Sequence, residues 1–129
     1  MSNYKYFTDA EVQGLDRELC AKLDLARSIA GVPFEITSGL RTPDQNAALK
    51  GSASDSSHLR GLAVDLAVFG DDHAFNRMIL GLVQAGLGDR MGFYYELDGT
   101  KLIPRHIHVD SDASLPPQVT WNLLEQNGC

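Results

Sequence analysis

The sequence predicts an α+β domain. Three observations carry that expectation. Apolar residues recur at helical spacing in three stretches, short apolar runs of strand length lie between them, and Asp98-Gly99 joins two of those runs as a hairpin turn. With about four short strands and little room for parallel crossovers, the expected arrangement is a small antiparallel sheet with helices packed on one side. A chain of 129 residues suffices for one compact domain with a real core and not for two, so residues 1–129 are read as a single domain.

Thr8 is a good N-cap, and Glu11 three residues on makes a capping box. Val12, Leu15, Leu19, Leu23 and Ala26 follow at helical spacing, and Gly31 and Pro33 end this helix near residue 30. Residues 34–38 (FEITS) read as a short strand. In TPDQ, Thr42 caps a second helix, Pro43 takes its first position and Gln45 completes another box. Gly51 opens the polar loop GSASDSS, from which His58 emerges. Residues 62–69 read as a buried strand. Gly70 and Asp71 lead into a third helix with Phe75, Met78, Ile79, Leu82 and Val83 as its apolar stripe. Residues 91–97 and Lys101–Asp110 are the arms of the hairpin. The tail SLPPQVTWNLLEQNGC carries two prolines and a weak apolar stripe, and is expected to be irregular with one helical turn.

Bulk properties exclude several classes. A formal net charge of −6 argues against nucleic acid, whose binding is driven by clustered Lys and Arg. No run of about 18 apolar residues exists to span a membrane. The N-terminal MSNYKYFTDAEVQ has no apolar stretch after a basic start, so no secretory signal is expected. Cys20 and Cys129 are not spaced as a metal site and read as free thiols in a reducing compartment. His73, beside Asp71 and Asp72, reads as solvated surface.

The chemistry gathers in three stretches: Ser56, His58 and Asp65 in SSHLRGLAVD, His106, His108 and Asp110 in RHIHVD, and Arg41 in SGLR. Asp65 stands in an otherwise small and apolar strand, and an ionised carboxylate is not buried there without a partner. Strand alternation puts His106, His108 and Asp110 on one face and Ile107 and Val109 on the other, toward the core. Ala63 and Ala67 leave room beside Asp65. If the two strands are neighbours, Asp65 faces a histidine and His58 folds over as a third ligand. Two imidazoles and a carboxylate, with a fourth position left for water, are a normal catalytic zinc set. Calcium or magnesium would want more oxygen ligands. Taken singly, Asp65 paired with an arginine, or an isolated strand histidine, would be an ordinary structural feature, and HxH alone is a weak signal. The argument lies in their conjunction.

Together, Ser56, His58, Gly61, Ala63 and Asp65 fit Ser-x-His-x-x-Gly-x-Ala-x-Asp, with HIH some forty residues later and SGLRT before both. Over roughly residues 34–121 the chain resembles the zinc D-alanyl-D-alanine carboxypeptidases and phage L-alanyl-D-glutamate endolysins, a group that includes the hedgehog signalling domain. The resemblance implies a hedgehog-like fold, zinc bound by His58, Asp65 and His108, His106 as a catalytic residue beside the metal, and Arg41 anchoring a substrate carboxylate or polarising the scissile carbonyl. It implies Ser56 as a pocket residue. Several relatives carry an acidic general base three residues before the last ligand, and here that position is Arg105. His106 is therefore the first choice for the base, with Glu96 on the preceding strand second. The expected substrate is a peptidoglycan stem peptide, cut by a monomer that reaches the wall after phage-type release or as a virion component. The competing reading is a zinc-bearing binding or structural module without catalysis. The presence of His106 and Arg41 favours the enzyme, since a structural zinc site needs neither.

Overall fold

The computed structural model describes residues 4–48, 56–69 and 72–124, with the side chain of Asn46 left aside. The expectations for residues 51–55, Gly70, Asp71 and Cys129 lie outside the described residues. The elements are α1 (Arg17–Ala30), β1 (Glu35–Ser38), α2 (Pro43–Ala48), a 3-10 turn (Ser57–Arg60), β2 (Ala63–Ala67), α3 (Asp72–Gln84), β3 (Arg90–Asp98), β4 (Lys101–Asp110) and β5 (Val119–Leu124). They form the expected α+β architecture, with a five-stranded sheet in the order β1-β2-β4-β3-β5.

The first helix begins later than its capping signal suggests. Thr8 and Glu11 do form the capping box, with Thr8 N–H donating to Glu11 Oε1 at 2.9 Å and Glu11 N–H to Thr8 Oγ at 3.2 Å. That box closes a separate turn. Gly14 then takes a left-handed φ of 78° against the Leu40 side chain, which leaves no room for a Cβ. The helix restarts with Asp16 as N-cap, its carboxylate accepting from Leu19 N–H. Val12 and Leu15 still reach the core. The second box, Thr42 with Gln45, caps α2 as expected.

Two further departures matter. Val83 is exposed, so the inner face of α3 is made by Met78, Gly81 and Leu82, with Phe75 and Ile79 packed at its edge. Gly81 is where α3 touches α1, because a side chain there would run into the Ala26 carbonyl and the Ala30 methyl. Arg77 seals the same contact, donating to the Ala30 and Ile29 carbonyls at 2.8 and 2.9 Å, which α1 leaves open at its C-terminus. The tail is not irregular. Residues 119–124 form β5, which pairs parallel with β3 and makes the sheet mixed.

The sheet divides the molecule into two faces. Val64, Leu66, Ile107 and Val109, all fully buried, pack with Leu19, Leu23, Met78 and Leu82 from the helices. The opposite face of β2 and β4 presents Asp65, His106, His108 and Asp110, as alternation requires.

Replacing Gly81 with alanine tests the helix contact. Better helix propensity favours alanine by about 1 kcal/mol, and overpacking against the α1 backbone at the Ala26 carbonyl oxygen costs about 1–3 kcal/mol, so a net loss of up to about 2 kcal/mol is expected. It should appear as a lower urea midpoint with an unchanged slope.

Candidate metal centre

Strand register delivers the first contact. Asp65 on β2 stands directly opposite His108 on β4, and the Asp65 carboxylate Oδ1 lies 2.9 Å from His108 Nδ1. His58 comes from the 3-10 turn. Ser56 caps that turn by accepting from His58 N–H at 3.3 Å, and Gly61 closes it in the left-handed conformation. Arg60 and Ser57 both bind the buried Asp112 carboxylate just past the end of β4, which fastens the turn to the sheet. His58 is thereby held 2 % exposed, with Nε2 3.4 Å from Asp65 Oδ1.

Among the described residues, His58, Asp65 and His108 form a group whose ligand atoms all lie within 4.8 Å of one another. Metal bonds of about 2.0–2.1 Å in a tetrahedral site place neighbouring ligand atoms roughly 3.3 Å apart, and Asp65 Oδ1 lies 3.4 Å from His58 Nε2 and 2.9 Å from His108 Nδ1. The decisive observation is His58 Nε2. It is buried and makes no hydrogen bond, a costly state for a polar ring nitrogen. A cation between the three side chains satisfies it.

The far nitrogen of each imidazole is pinned. His58 Nδ1 lies 2.8 Å from the Gly39 carbonyl oxygen, which only accepts, so the ring proton sits on Nδ1 and the Nε2 lone pair faces the cluster. His108 Nε2 lies 2.9 Å from Asp110 Oδ2, and Asp110 is in turn held by Arg90 Nε at 2.7 Å. A carboxylate behind a ligating imidazole is the usual way of fixing its ring and raising its basicity. Arg41 occupies the other carboxylate oxygen of Asp65, with Nη2 3.2 Å from Oδ2, while its Nε donates to Ser38 Oγ at 3.0 Å. Asp65 thus has both partners considered for it: an arginine on one oxygen and the imidazoles on the other.

The remaining expected residues divide. His106 shares the face of His108 but stays outside the three-ligand group and stacks on Tyr94, with ring centroids 4.2 Å apart and planes inclined by 12°. Ser56 shapes the turn beneath His58. Glu96 is bound to Arg105 at the exposed end of the hairpin, 2.6 Å apart. His73 is exposed on α3. Asp110, the Gly39 carbonyl, Tyr94 and Trp121 belong to the site and were not singled out for these roles by the sequence. Asp110 was legible as a third polar residue on the His face. Trp121 was not, since it depends on the unexpected β5.

Burial disfavours the charged forms throughout, and the pairing overrides it. Burial opposes ionisation of Asp65, yet the hydrogen bond and the positive charge of His108 hold its carboxyl well below the usual range. Burial would lower His108, yet its bonds to Asp110 and Asp65 raise it to about 9. Without metal, His108 is therefore an imidazolium between two carboxylates.

The peptidase M15 family model matches residues 5–110. The crystal structure of the L-Ala D-Glu endopeptidase ChiX from Serratia marcescens aligns with a TM-score of 0.56 at 22% identity, covering 79% of this chain and 84% of that one. At that identity the likeness is one of fold. No curated protein sequence matches the chain.

The ion pairs make the metal-free chain sensitive to pH. The stabilisation from His108 is fully present below its unfolded value of 6.5 and is lost as pH rises through about 9. That from Asp65 is present above its ordinary value of 3.8 and is lost as pH falls below it. In a chelator, the urea midpoint should decline between pH 6.5 and 9. The decline should be absent in His108→Ala.

Proposed function

The chain belongs to the peptidase M15 family, and from that premise we propose that it is a zinc-dependent peptidase that cuts a peptide bond in peptidoglycan stem peptides. The observation that carries this reading is the convergence of His58 Nε2, Asp65 Oδ1 and His108 Nδ1, with the outer nitrogen of each imidazole already occupied. Two nitrogens and one oxygen suit zinc, and three protein ligands leave a position open for chemistry, whereas a structural site closes with four. The bond is of the L-alanyl–D-glutamate or D-alanyl–D-alanine type. The activity named for the Serratia fold neighbour makes the former the first to test. On this reading the enzyme reaches the wall after phage-type release or as a virion component.

When bound, zinc supplies an activated water at neutral pH and an electrophile for the carbonyl. The chain's own residues prepare the rest. Arg41 keeps Oδ2 of Asp65 engaged, so that the carboxylate presents Oδ1 alone to the cluster. Its guanidinium also places positive charge beside the site, where it serves a substrate carboxylate or the carbonyl oxygen as negative charge develops. A ring nitrogen of His106, on the same strand face as His108, takes a proton and returns it to the leaving amine. The stack against Tyr94 fixes the plane of that ring. Ser56 borders the pocket at the base of the His58 turn.

Digestion of purified muropeptides, with the products weighed, identifies the bond. Purified protein should carry about one zinc per chain, and single alanine variants of His58, Asp65 or His108 should lose it. His106→Ala should keep zinc and lose turnover by roughly 100-fold or more. If His106→Ala is metal-free while His108→Ala keeps zinc, the roles are reversed. Asp110→Asn should weaken zinc binding by about 10–100-fold, read by competition with a chromogenic chelator.

A further inference from the structure

We propose that Trp121 determines specificity: its indole forms the wall that receives the methyl group of the alanine supplying the scissile carbonyl. This rests on the peptidase reading above. The indole is seated with care. In the parallel β3–β5 register Trp121 stands beside Gly92, and Gly92 in turn stands beside His108. The ring lies over Gly92 where any side chain would be, since a Cβ at 92 would overlap the indole, 2.6 Å from its Cζ2. Its Nε1–H donates to the Tyr94 hydroxyl at 3.0 Å, and Tyr94 is the residue stacked on His106. The Arg90 guanidinium lies 5.6 Å from the indole centroid and is itself tied to Asp110. The ring centroid lies 5.4 Å from that of His108, and Trp121 remains partly exposed.

The order of the strands then gives the cleft a direction. Arg41 follows β1, Asp65 is on β2, His108 on β4, Gly92 and Tyr94 on β3, and Trp121 on β5. The metal ligands lie in the middle, with a cation on one side and an aromatic wall on the other. Both candidate bonds have the matching polarity. Each has an alanine on the carbonyl side, and each has a residue bearing a carboxylate on the amine side. The carboxylate end belongs with Arg41 and the methyl group with the indole. A tryptophan that only anchored β5 would need neither the bare glycine nor a position beside His108.

The test compares kcat/KM for two peptides, with alanine or glycine on the carbonyl side of the scissile bond, in wild type, Trp121→Ala and Gly92→Ala. Gly92→Ala keeps the indole, and its backbone conformation is open to alanine, so the added methyl group displaces the ring from its seat. One methyl group in a fitted pocket is worth about tenfold or more, so wild type should prefer alanine by at least that ratio. Both variants should bring the ratio to within about threefold of unity, with zinc content unchanged, mainly by raising KM for the alanine peptide. An undiminished ratio in both variants overturns the proposal. So does an equal loss on both peptides, which would mark a purely structural ring. If wild type cuts neither peptide nor any muropeptide, the peptidase reading itself fails and this one with it.

Discussion

The Asp65 carboxylate is the constraint around which this molecule is arranged. It stands on a strand flanked on both sides, among residues as apolar as Val64 and Leu66, where an unpaired charge would be prohibitive. Each neighbour therefore supplies compensation. β4 brings His108 into direct register. The end of β1, irregular between Ile36 and Ser38, leads to Arg41. The 3-10 turn Ser57–Arg60 offers His58. The candidate metal ligands and the arginine beside them are the same residues that make it possible to bury Asp65 at all.

The two faces of the sheet share this work unequally. The helix face is ordinary hydrophobic packing and holds the strands in register. The other face is kept low by small residues: Ala63 and Ala67 beside Asp65, and Gly92 beside His108. Space left by those residues is taken by imidazoles, a guanidinium and an indole. At the end of β4, alternate carboxylates are each neutralised by an arginine, Asp110 by Arg90 and Asp112 by Arg60. The first braces a candidate ligand, and the second fastens the turn that carries another.

Much of this was legible because it follows from local periodicity. The alternation in RHIHVD fixes which side chains share a face, and a charge within an apolar strand announces a partner before the partner is known. Features set by contacts between distant segments were not. Gly14 breaks the first helix because Leu40 lies against it, a contact no helical pattern contains. Val83 fits the stripe of α3 by spacing but lies beyond the surface that α1 covers. The tail reads as irregular because two prolines precede it and its pairing is with β3, whose bare Gly92 accepts the indole. The outer partners of the ligating histidines were equally hidden, since a backbone carbonyl such as that of Gly39 carries no mark in a sequence.

Trp121 is the only tryptophan in the chain. Its ring centroid lies 5.4 Å from that of His108, an imidazole whose charge depends on whether a proton or a metal is present. An imidazolium quenches indole emission by accepting an excited electron, and a neutral or metal-bound ring does so differently. Excited at the red edge of its absorption, where tyrosine does not absorb, the protein therefore fluoresces from one residue, and that residue stands beside the candidate metal centre. The molecule carries its own optical gauge of the state of its site, with no label attached.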